Sequence, residues 1–135
     1  MAYKAILNIT GQKQGSMGDF DVLSCNFNFR HDLDSRGKII SILKDGLIHI
    51  ELESSQSAKF FGCVATHEVV NGTVTFYKPD SDQKLKQLTF KNAFLVQYSE
   101  TMIARGSMPM STNITISAQE IELDGDKVSW NWVMD

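Results

Sequence analysis

Apolar side chains recur at every second position through most of this chain, the repeat of a strand that buries one face. From Phe20 to His31, Leu23, Cys25, Phe27 and Phe29 share one face, and Ser24, Asn26, Asn28 and Arg30 share the other. From Leu47 to Ser54, Ile48, Ile50 and Leu52 turn inward and His49, Glu51 and Glu53 form a polar face. The pattern between Ala2 and Thr10 is short and mixed. Thr73–Tyr77 reads as a short strand, and a long one spans Lys86 to Tyr98, with Leu88, Phe90, Phe94, Val96 and Tyr98 in phase and Asn92 interrupting. In the stretch from Thr112 to Leu123, the phase set by Ile114, Ile116 and Ala118 slips to Ile121 and Leu123, which predicts a bulge near Gln119 or Glu120. Val128, Trp130 and Trp132 share a face of the last strand.

The connections carry their own chemistry. Asn71-Gly72 has the residues of a turn with positive φ, Pro79–Asp82 makes another turn, and Asp124-Gly125-Asp126 makes a tight hairpin. One segment reads as a helix, from Ser55 or Gln56 to Ala65, with Ser54 or Ser55 as N-cap and Ala58, Phe61 and Val64 as the apolar stripe. About seven strands and one short helix fit a small antiparallel β-barrel, because closure removes unpaired edges; a two-sheet sandwich is the alternative. Two stretches are irregular. Residues 11 to 19 are rich in Gly and Gln, and residues 32 to 46 set Ile39, Ile40, Ile42 and Leu43 among mixed charges. Four aliphatic residues in a long polar loop imply local structure or a partner.

The 135 residues suit one domain, residues 1–135, with one core. With 13 basic against 16 acidic residues, and neither half cationic, nucleic acid and anionic membranes are excluded as expected partners. The amino terminus lacks the apolar run of a signal peptide and no stretch is long enough for membrane insertion, so the chain is expected in the cytoplasm at synthesis. Cys25 and Cys63 are read as reduced and mostly buried, a single long-range disulfide being the alternative.

No phosphate loop, HExxH pair, nucleophile elbow or CxxC pair occurs, so the expectation is a non-enzyme with no cofactor. His49, Glu51 and Glu53 could hold a metal, but alternation alone predicts such a face as solvated surface. His31, Asp32 and Asp34 open a polar loop, where charges are mostly solvated. Trp130 and Trp132 read as core anchors rather than a stacking platform for a sugar or base. Met102, Met108 and Met110 suit an adaptable contact surface as well as they suit gap filling.

In order and spacing, these segments resemble the Hcp family, also called TssD, the tube proteins of type VI secretion systems, and specifically its Bacteroidetes branch. The resemblance rests on Val22, Leu23, Ser24, Cys25, Asn26 and Phe27, then a charged loop and Gly46, Leu47, Ile48, His49, Ile50 and Glu51. It continues through Thr75, Phe76, Tyr77 and Lys78, then Leu88, Thr89 and Phe90. The late segments are Tyr98, Ser99 and Glu100, then Pro109 and Met110, and finally Ile114 to Ile121. The connection from Gly11 to Phe20 departs from the branch in its extra Gly and Gln, and is expected to lengthen one hairpin.

The resemblance implies an Hcp-like barrel with a flanking helix that assembles as a hexameric ring. Stacked rings form a hollow tube, expelled by sheath contraction with a spike at its tip, whose lumen is able to carry small effectors. It implies a cytoplasmic protein before firing that leaves the cell through the type VI apparatus. The loop from Asp32 to Gly46 resembles the family's extended loop, so Ile39, Ile40, Ile42 and Leu43 are the expected subunit or ring interface. His49, Glu51 and Glu53 are expected on the polar lumen or on the outer wall. Two other readings are a monomeric ligand-binding barrel and a tail-tube subunit of a phage or related contractile injection particle.

Overall fold

The computed structural model describes residues 4–13, 15–40, 46–53, 59–79, 82–104 and 110–129. In chain order the elements are β1 (Lys4–Gly11), β2 (Gly15–Phe27), β3 (Leu47–Glu53), α1 (Lys59–Thr66), β4 (Val70–Tyr77), β5 (Lys84–Met102), β6 (Met110–Leu123) and β7 (Asp126–Ser129). All neighbouring strands are antiparallel, in the order β3-β2-β1-β4-β5-β6-β7, and a further pairing of β3 with β6 closes six strands into a barrel. The expected barrel is therefore the fold, and the sandwich is set aside. β7 lies in line with β3 along the same edge of β6, pairing Ser129 with Glu120 where β3 pairs Leu47 with Ser117.

The barrel interior is filled by side chains. Leu7, Ile9, Ile48, Leu52, Val70, Val74, Leu88, Phe90 and Ile116 are fully buried, with Ile50, Ile114 and Ile121 nearly so. Each buried aliphatic of this size contributes roughly 1.5–3 kcal/mol. The expected inward residues of β3 and β6 hold, and three other phases change. Register shifts between Val22 and Ser24, so Leu23 occupies a bulge and is 40% exposed while Val22, Cys25 and Phe27 pack on the core. β2 also begins earlier than expected, because residues 15–19 continue the β1 hairpin with Gly11 opposite Gly15. That places Met17 in the core, where it accepts a contact from the Cys63 thiol at 3.8 Å.

The interruption at Asn92 and the slip near Gln119 are one event. Asn92 has φ of 51° and its N–H donates to the Asn71 side chain at 2.9 Å. Here β5 carries one residue more than β4, while β5 and β6 keep register, Phe90 opposite Ile121 and Ala93 opposite Ala118. Both strands thus change phase together, turning Ala93 and Leu95 inward in place of the expected Phe94 and Val96. A second shift between Leu95 and Gln97 leaves Val96 54% exposed and returns Tyr98 to the core side.

Asn71 and Gly72 do not form the expected turn. They lie inside β4, where Gly72 serves a close approach to β1. The chain reverses instead after α1, at His67 with φ of 53°, where the Glu68 N–H reaches the Cys63 carbonyl in a Schellman closure. The Asp124-Gly125 hairpin is as expected, with φ of 49° and 99°. In α1 the buried face is Phe60 and Cys63, not Phe61, which is 60% exposed and meets the Tyr98 ring edge-on. Phe60 packs on Phe20 with ring centroids 4.8 Å apart and the planes tilted by 53°, so the helix covers the barrel end where β3 stops and β4 starts. The expected N-cap serines and the two tryptophans lie outside the described residues.

Candidate functional site

In an antiparallel ladder, directly paired residues point to the same face, so the register defines what each face displays. Across the outer face of β2, β3, β6 and β5 one row runs Asn26, His49, Thr115, Gln97. The next row runs Ser24, Glu51, Asn113, Ser99, and a third runs Glu53, Ser111, Thr101. His49, Glu51 and Glu53, singled out from the sequence, therefore share one face with a field of amides and hydroxyls. Their own alternation supplied His49, Glu51 and Glu53. Gln97 was missed because the Val96 bulge hides its phase.

The first row is hydrogen-bonded across strands. The Thr115 hydroxyl donates to Gln97 Oε1 at 3.2 Å, and its oxygen stands 3.1 Å from His49 Nδ1. Thr115 thus links Gln97 of β5 to His49 of β3 across the ladder. Ser24, Asn26, His49, Gln97, Asn113 and Thr115 line a shallow open depression with Ile50 and Ile114 at its floor. Among the described residues no group of three or more His, Cys, Asp or Glu side chains could hold a metal ion. Such a surface offers hydrogen bonds from amides and hydroxyls, with carboxylates at Glu51 and Glu53.

The second site springs from the opposite barrel end, where β2 hands over to β3. Phe29 still packs on the core, its ring 6.3 Å from Phe27, and Arg30 pairs with Asp32 at 3.6 Å. Residues 32–40 then close into a clip. Leu33 bridges Ile39, the Ile40 N–H reaches the Asp32 carbonyl, and Gly37 turns the chain at φ of 85°. Asp34 organises the turn, its carboxylate accepting the N–H groups of Arg36 at 2.8 Å and Lys38 at 2.9 Å. Asp32 and Asp34, weighed above as metal ligands, are engaged in holding this shape. Leu33, Ile39 and Ile40 are 58%, 55% and 63% exposed, and Ile42 and Leu43 lie outside the described residues.

Both cysteines are free. Burial pushes each thiol up to about 11, helped at Cys63 by the nearby Glu68 charge, so neither is poised as a nucleophile. Tyr98 donates its hydroxyl to Glu100, and burial, that bond and the carboxylate charge push the phenol up to about 12.

The described residues thus form a closed barrel with α1 over one end, a polar outer field and an exposed clip. The family model for Hemolysin coregulated protein Hcp (TssD) matches residues 1–133, and the chain belongs to that family. It is similar to Hcp1 from Flavobacterium johnsoniae, with 28% identity, a TM-score of 0.80, and coverage of 92% of this chain and 98% of that one. Hcp1 from Salmonella typhimurium shares the fold at 14% identity and a TM-score of 0.71, with coverage of 96% and 93%. A chain of the anti-feeding prophage baseplate shares it at 10% identity and a TM-score of 0.60, with coverage of 93% and 95%. No curated protein matches the sequence significantly. The family is one of structural tube proteins secreted by type VI systems, not of enzymes. No helix among the described residues is long and apolar enough to cross a membrane.

Proposed function

We propose that this chain is an inner-tube subunit of a type VI secretion system, a single-domain barrel that closes into hexameric rings and stacks into a hollow tube. The observation that carries the reading is the outer face of β2, β3, β6 and β5, whose three rows set amides and hydroxyls around His49, Glu51 and Glu53. A surface of exposed amides and hydroxyls stays hydrated and binds passing protein weakly, which suits the wall of a conduit for small effectors. On this reading those rows line the lumen, the loop that carries Ile39, Ile40, Ile42 and Leu43 makes contacts between subunits or rings, and sheath and spike proteins act outside and at the tip. The protein waits in the cytoplasm and leaves with the tube on firing.

The packed interior, with Phe90 filling its centre, argues against a ligand-binding barrel. The shared fold with the prophage baseplate chain keeps a related injection-particle role as the second reading. Glu51→Cys, treated with a bulky maleimide before and after assembly, tests the lumen assignment. Labelling lost on assembly supports it, and labelling retained in intact tubes refutes it.

A further inference from the structure

The polar outer face changes character at its clip end. Leu47 of β3 and Phe94 of β5 both stand opposite Ser117 of β6, one step before the row of His49, Thr115 and Gln97. Directly paired residues share a face, so Leu47 and Phe94 flank Ser117 as an apolar strip on the outside of the barrel. Leu47 is 38% exposed. Phe94 is half-buried without being one of the side chains packed on the core, and Ser117, Gln119 and Glu120 beside it are half-buried too. The cover over Phe94 therefore comes from the outer side of the sheet.

The course of β7 brings one segment of the chain to this strip. β7 and β3 follow each other along the same edge of β6, and only Gln119 and Ala118 separate the partner of Ser129 from the partner of Leu47. The chain after Ser129 thus has two ladder positions before it meets Leu47 and must leave the edge. The interior at that level is filled by Ile48, Ile116 and Leu95, which leaves the outer face as the side with room. The residues that follow, Trp130-Asn131-Trp132-Val133, put two indoles and a valine in four positions. Three residues of extended chain cover about 10 Å, matching the three positions from Glu120 to Ser117, so Trp132 comes level with the strip.

We propose that residues 130–133 turn outward at the start of β3 and lay Trp132 across Leu47, Ser117 and Phe94. An indole seated there removes from water the apolar surface that the surrounding amides and hydroxyls leave open. The contact lies within one chain and stands without the tube reading; with that reading, this segment becomes the clip-side border of the conduit wall, next to His49.

The test uses the full chain carrying Trp130→Phe, which leaves Trp132 as its sole indole, and reads indole fluorescence with acrylamide quenching. Trp132 is expected to emit to the blue of free tryptophan amide and to be quenched severalfold less readily. Adding Phe94→Ala should move the emission to the red and restore quenching, whereas Val96→Ala, at a side chain 54% exposed on the same strand, should change neither. Circular dichroism reports whether the barrel is intact, and Leu47→Ser repeats the test should Phe94→Ala unfold. Free quenching of Trp132 in the folded chain, or protection that neither Phe94→Ala nor Leu47→Ser alters, overturns the contact. Protection that disappears on dilution to monomer assigns the strip to a second copy and overturns it as well. Mass measured on the same samples separates this inference from the tube reading. A protected Trp132 in a chain that stays monomeric supports the contact and contradicts the tube, and a freely quenched Trp132 in rings does the reverse.

Discussion

A Cβ on Gly72 would lie 2.3 Å from the backbone carbonyl oxygen of Asn8 and 2.8 Å from the ring of Phe90. The first neighbour is backbone in a paired strand and the second is the largest fully buried side chain among the described residues, so neither yields easily. Gly72→Ala is expected to destabilise by about 3 kcal/mol, at the upper end for overpacking. Gly37→Ala, where a Cβ meets nothing but φ is 85°, should cost about 1 kcal/mol. Urea denaturation of both variants checks the order.

The neighbouring phenylalanines of α1 should behave unequally. Phe60 is 4% exposed and packed against Phe20, so Phe60→Ala is expected to cost about 3–5 kcal/mol. Phe61 is mostly exposed, and Phe61→Ala should cost less than about 1 kcal/mol. Equal losses in thermal denaturation would contradict the placement of the helix.

The barrel pattern was legible because Ile48, Ile50, Leu52, Ile114 and Ile116 alternate without interruption and do form buried strand faces. The bulges at Leu23, Asn92 and Val96 were harder to place. Inserting one residue changes which face a side chain takes without changing its type, so Phe94 and Val96 read as core although Ala93 and Leu95 fill it. Gly72 read as a turn because glycine serves both left-handed φ and close approach, and only tertiary structure separates the two. At the candidate site, His49, Glu51 and Glu53 were visible from one strand. Their partners Thr115 and Gln97 come from cross-strand register, which a single strand's pattern does not contain.

The thiols give a pH dependence with a definite sign. Both rise in the folded chain from 9.0 to about 11, so between those values the unfolded chain has lost protons that the native chain keeps. Stability therefore falls as pH rises from about 9 toward 11, and below 9 the thiols contribute no slope. Thermal denaturation across pH 8 to about 10 should show the decline, flattened in a Cys25→Ser, Cys63→Ala variant. An equal decline in that variant would assign the slope to other groups.

Asp34 separates assembly from folding. Asp34→Ala removes the acceptor of two backbone N–H groups in an exposed clip. It should lower barrel stability by less than about 1 kcal/mol while reducing assembly severalfold. Circular dichroism and sedimentation on the same sample read the two effects, and intact assembly would detach the clip from the interface.

The claim that matters most is that the barrel is a ring-forming tube subunit, and absolute mass by light scattering, with negative-stain images of the same fraction, tests it most directly. Annular particles at six times the 15.1 kDa chain mass, with stacks of such rings at higher concentration, are the expected result. A folded species that stays at 15.1 kDa at high concentration, with no rings in the images, would contradict it.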